Sequence, residues 1–240
     1  MEYRKIFLNR EACIIHYPNR PNGFGILIIS NDEKFSEGTE SKWLLNQSRF
    51  AILQELVDKG YTIFYTNLGG NHLGNQKSTD QVRHLYEYVK RTEILNEKIH
   101  VIAEGFGAII VCSLMDNNPS FIRSALLINP IFSLAWVKEL VHGQPFFYKR
   151  FLMDVSRAYT ISEEKCENFI MDLTKGPFSF TFPFKIVHIL EHGVQDGMWL
   201  RLYQTYLPDG TDNIHVLMPE KRNEIANIAQ KLFEAAETPL

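Results

Sequence analysis

The stretch that most constrains this chain is residues 99–115, IHVIAEGFGAIIVCSLM, which reads as a buried strand entering a tight glycine turn and leaving it as an apolar helix. The unit recurs. Short apolar or β-rich runs, bounded mostly by Gly, Pro, Asn or Asp, predict strands at 6–9, 13–17, 24–30, 61–66, 99–103, 122–128, 185–190 and 213–218. Helical spacing lies between them at 43–59, 79–94, 106–115, 197–206 and 221–236. Two or three strands come first and strand–helix alternation follows. The expected fold is therefore α/β: a mostly parallel, doubly wound sheet of about eight strands, with helices on both faces and an antiparallel edge. Residues 131–182 interrupt the alternation with aromatic-rich, helical sequence and are read as an inserted cap on a core of 1–130 and 183–240. The tail 237–240 is expected to fray.

Charge and cysteine usage exclude several classes of function. The 25 Lys and Arg are interspersed among 28 Asp and Glu, so there is no basic stripe of the kind that holds nucleic acid. The three cysteines, Cys13, Cys112 and Cys166, are far apart and lack CxxC or histidine companions, which argues against a disulfide framework or a metal site. No apolar run reaches the roughly 20 residues that span a bilayer, and the N-terminus lacks the pattern of a secretory signal. The expectation is a cytoplasmic protein with no membrane contact. A dinucleotide cofactor is not expected either, since Glu104-Gly-Phe-Gly-Ala lacks the third glycine and comes late in the sheet.

In open parallel sheets ligands bind beyond the carboxyl ends of the strands, so the loops after the strands carry the chemistry. Ala103-Glu104-Gly105-Phe106-Gly107 aligns with the strand–turn–helix motif G-x-S-x-G, with Gly105 at the serine. His192-Gly-Val-Gln-Asp196 matches H-G-x-x-D. The loop after 213–218 begins at Pro219 and continues through Arg222 and Asn223; the last histidine, His215, lies inside the preceding strand. The loop after 24–30 reads Ser30-Asn31-Asp32-Glu33 in place of His-Gly.

On these motifs the chain resembles the α/β-hydrolase superfamily as a degenerate member lacking the nucleophile serine and the catalytic histidine. The resemblance implies acyl hydrolysis by serine, histidine and acid, with backbone N–H groups holding the oxyanion. It assigns the triad positions to Gly105, Asn223 and Asp196. Glycine offers no nucleophile, and asparagine exchanges no proton near neutral pH.

Candidate ligand contacts at the cleft are Ser30, Asn31, His72, Glu104, Phe106, Gly107 and His192. Glu104 has two readings, a rebuilt base or nucleophile and a structurally bonded carboxylate. His72 either lines the cleft or stabilises its turn, and Asp196 is either a relic acid or a helix N-cap. Cys112 and Ser113 are read as helix wall, and Phe146–Phe151 as an aromatic cap lining an apolar pocket. The N–H groups of Phe106 and Gly107 open a helix toward the cleft and favour an anion or carbonyl oxygen. Three functions stay open: a non-catalytic protein binding a small, partly apolar ligand or a protein partner in the old cleft, an esterase-like hydrolase with a rebuilt site, and an interaction scaffold.

Overall fold

The structure, a computed structural model, describes residues 1–31, 41–117, 121–173, 176–190, 196–207 and 211–237. β1 (Glu2–Leu8) and β2 (Glu11–Tyr17) form a hairpin whose turn residues Asn9 and Arg10 both have positive φ, 52° and 69°. That sign at both centres matches the right-handed twist of the flanking strands. β2 pairs antiparallel with β4 (Thr62–Thr66), and every later pairing is parallel, through β3 (Gly25–Ile29), β5 (Ile99–Glu104), β6 (Ile122–Ile128), β7 (Phe184–Ile189) and β8 (Ile214–Leu217). The result is one eight-stranded sheet, ordered β1-β2-β4-β3-β5-β6-β7-β8.

The central strands β3 and β4 are buried at every position, which is why they read as unbroken apolar runs rather than alternating ones. Alternate residues nevertheless feed different cores. Leu27 and Ile29 join the cluster under α3 (Gln76–Thr92), α4 (Gly107–Asn117) and α8 (Asp196–Tyr206), which contribute Val82, Val111 and Tyr203. Ile26 and Ile28 face α2 (Gln47–Asp58) and α9 (Glu224–Ala236), which contribute Leu53 and Phe233. Helices thus cover both faces.

Several boundaries differ from expectation for local reasons. The helix expected at 43–59 divides into α1 (Lys42–Leu45) and α2 because Asn46 takes an extended backbone (φ −87°, ψ 117°), from which its side chain accepts the Arg49 N–H. α3 starts at Gln76 because Asn75 caps it, accepting from the Ser78 N–H. β1 begins at Glu2 rather than at residue 6; as an edge strand it is mostly exposed, so polar residues hid it. Glu237, expected to fray, is anchored instead. The Tyr61 hydroxyl donates to its carboxylate at 2.6 Å, and Arg123 donates to the Ala236 carbonyl at 3.2 Å.

Between β6 and β7 lie α5 (Leu134–Val141), α6 (Pro145–Tyr159) and α7 (Cys166–Asp172). Phe151, Val155 and Ile170 form a separate apolar cluster with Leu73, against which Phe106 and Ile109 pack, so these helices sit beside the turn after β5. The expectation that Phe146–Phe151 lines a pocket is corrected at its first residues. Phe146 and Phe147 are 73% and 53% exposed, because the first turn of α6 directs them away from the face that buries Phe151.

Candidate active-site cleft

The turn after β5 is built from residues that lack a side chain where one cannot fit. Gly105 sits at φ +50°. Its N–H donates to the Ile128 carbonyl at 3.0 Å, and its own carbonyl accepts from Ala108 and Ile131. A Cβ on Gly107 would lie 2.4 Å from the Ile29 carbonyl oxygen, so the start of α4 rests directly on β3. Positive φ and this close approach both select glycine.

Gly105 meets a further constraint from the neighbouring loop. A Cβ there would fall 2.3 Å from Asn31 Oδ1, and that same oxygen accepts the Phe106 N–H at 2.9 Å. The amide of Asn31 therefore fills the space a residue-105 side chain would use and occupies the first N–H donor of the turn. The sequence expectation that this N–H stands open to a ligand is corrected.

The remaining candidates fall into two groups. Arg49, in the first turn of α2, grips Glu104 with two parallel bonds, Nε to Oε1 at 3.2 Å and Nη2 to Oε2 at 2.8 Å; the two side chains are only 26% and 13% exposed. Both Glu104 oxygens are engaged by a guanidinium, which favours the structural reading over a free base or nucleophile. Behind this pair, Trp43 donates to Ser30 Oγ at 2.7 Å, and Ser30 is itself buried. His72 is buried too: the Gly74 N–H donates to its Nδ1, so Nε2 carries the proton and donates to the Ser30 carbonyl at 2.9 Å. His72 and Ser30 thus brace the floor of the loop and do not line the cavity.

That cavity, about 550 Å³, opens at the carboxyl ends of the parallel strands. Its lining is mixed: Asn31, Arg49, Glu104 and Arg222 are polar, and Ile128, Ile189, Trp199 and Ile225 are apolar. Phe106 and Gly107 contribute to the turn without lining the cavity, and Asn223 is exposed outside it. Asp196 starts α8, but its side chain and the whole of His192 lie outside the described residues. Cys112 is buried in the wall of α4. The sequence reading missed Arg49, Asn129, His188 and Trp199. His188 lies within β7, buried, with Nδ1 3.1 Å from the Tyr203 hydroxyl. It carries no motif, and Arg49 is an ordinary helix residue until α2 brings it 55 positions along the chain to Glu104.

No protein-family profile and no curated protein matches the sequence. Solved structures of similar shape include the Est1E protein of Butyrivibrio proteoclasticus, at TM-score 0.61 and 12% identity over 98% of each chain. An esterase of the bacterial hormone-sensitive lipase family superposes at TM-score 0.65 and 10% identity, over 98% of this chain and 85% of that one. Mouse alpha/beta hydrolase domain-containing protein 10 does so at 0.59 and 10%, over 99% and 100%. The chain has the α/β-hydrolase fold. In this chain the turn between β5 and α4 carries glycine at 105, and the Asn31 amide oxygen accepts the Phe106 N–H. Among the described residues no group of histidine, cysteine and carboxylate side chains is placed to hold a metal ion.

Proposed function

We propose that this α/β-hydrolase-fold chain lacks serine-hydrolase activity and binds a small, partly apolar ligand in the cleft beside Gly105, with α5–α7 as its cap. The observation that carries the reading is the Asn31 amide. Its oxygen lies where a side chain at residue 105 would begin and is bonded to the Phe106 N–H, so nucleophile and oxyanion donor are displaced by one residue. Loss of a triad member alone removes several orders of magnitude from the rate. The cleft volume of about 550 Å³ lies in the range of small-molecule sites and favours such a ligand over a protein partner.

The test is incubation of the purified protein with a fluorophosphonate probe and with p-nitrophenyl acetate and butyrate. Neither labelling nor turnover above the buffer rate is expected. Turnover abolished by Glu104→Gln or His188→Ala would instead establish an esterase-like enzyme with a rebuilt site.

A further inference from the structure

We infer that the cleft selects an organic monoanion, a carboxylate with a flat apolar body, held by Arg222. This rests on the ligand-binding reading above and adds the ligand's chemistry. The described lining side chains include two guanidinium groups, Arg49 and Arg222, and one carboxylate, Glu104. Glu104 neutralises Arg49 through its two-bond pair. Arg222 is exposed where it lines the cavity and makes no ion pair among the described residues, so its guanidinium is available to a ligand at the cavity mouth. A guanidinium favours a negative charge, and its planar fork fits a carboxylate edge on.

Two neighbours reinforce the preference. α2 begins at the cavity, where Asn46, Ser48 and Arg49 all line it, so the positive end of that helix faces the same space. Asn129 spends its Oδ1 on the Ile189 N–H at 2.7 Å, which presents its amide N–H groups as the half of that side chain open to an acceptor. The apolar lining sets the shape of the body. Trp199 is partly exposed and lines the same space, which offers a ring face to an apolar body, and the edges of the nearly buried Ile128, Ile189 and Ile225 line it as well.

Binding of 2-naphthoate and of its neutral analogue 2-naphthamide to the full chain, followed by titration calorimetry, tests this. The acid is expected to bind about tenfold tighter than the amide, the range of one charge-assisted contact. Arg222→Gln should abolish that preference and leave amide affinity within about twofold. Glu104→Gln, which releases Arg49, should strengthen acid binding. Equal affinity for acid and amide in the unmodified chain overturns the anion inference and leaves the ligand-binding reading standing. A preference that survives Arg222→Gln overturns the assignment to Arg222. Binding of neither compound by a chain with an intact urea transition overturns both readings.

Discussion

At residue scale the cleft turns on one pair, Gly105 and Asn31. A serine at 105 places a Cβ at φ +50° and drives it into Asn31 Oδ1. The conformation costs about 1–2 kcal/mol and the overlap about 1–3 kcal/mol more, so Gly105→Ser should lower unfolding stability by roughly 2–5 kcal/mol in urea titrations. Asn31→Ala removes the clashing oxygen but leaves the Phe106 N–H without its acceptor, a loss of about 1 kcal/mol. The double variant should therefore lose about 1–2 kcal/mol less than the sum of the single losses, and strict additivity would show that the two residues do not share the space. Neither variant should gain ester hydrolysis, because Asn223 is exposed outside the cavity and offers no base.

At the scale of elements, asparagines fix where helices begin and how they are tied. Asn75 does both. Its Oδ1 accepts the Ser78 N–H at the start of α3, while its Nδ2 donates to the Ala158 carbonyl at 2.8 Å near the end of α6. Asn75→Ala should cost about 1 kcal/mol for the cap and more for the tie. Asn75→Asp keeps the cap acceptor and loses only the donor, so hydrogen exchange should rise at the end of α6 while α3 stays protected. Equal loosening of both helices would refute that division of labour. The helix positions were largely legible from 3.6-residue spacing. Their first residues were not, since a cap is a contact between a side chain and a backbone that bends only in the fold.

For the whole molecule, buried histidines make stability fall in acid. Burial, with the nearby N-terminal charge, lowers the His16 pKa to about 4, and burial lowers that of His100 as well. Unfolding lets both take up protons near pH 6.5, so their contribution is fully present above that pH and is lost as pH falls toward the folded values. For His16 alone the loss between pH 6.5 and 4 is on the order of 3 kcal/mol. His16→Gln should flatten the dependence of the urea midpoint on pH in that window; an unchanged slope would exclude His16 as its source.

His100 belongs to a largely buried row at the amino end of β5. Ser124 Oγ lies 2.8 Å from its Nδ1, and Glu237 3.3 Å from its Nε2 without hydrogen-bond alignment. Burial raises the Glu237 pKa, but His100 and Tyr61 outweigh it and hold the carboxyl below its ordinary value. Its contribution is present above the ordinary carboxylate pKa and is lost as pH falls through the folded one. Glu237→Gln should lower the unfolding temperature at pH 7 more than at pH 4.

By itself the sequence determined the α/β class, the strand–helix alternation and the glycine turn after β5. These are local: apolar run length, helical period and the need for residues without Cβ are written in neighbouring positions. Only the tertiary structure decided what fills the turn and what faces the cleft. Asn31 on Phe106, Arg49 on Glu104, and His188 and Trp199 at the cavity are contacts between distant segments, set by the order in which strands pair and helices return. Spacing along the chain carries no record of that order.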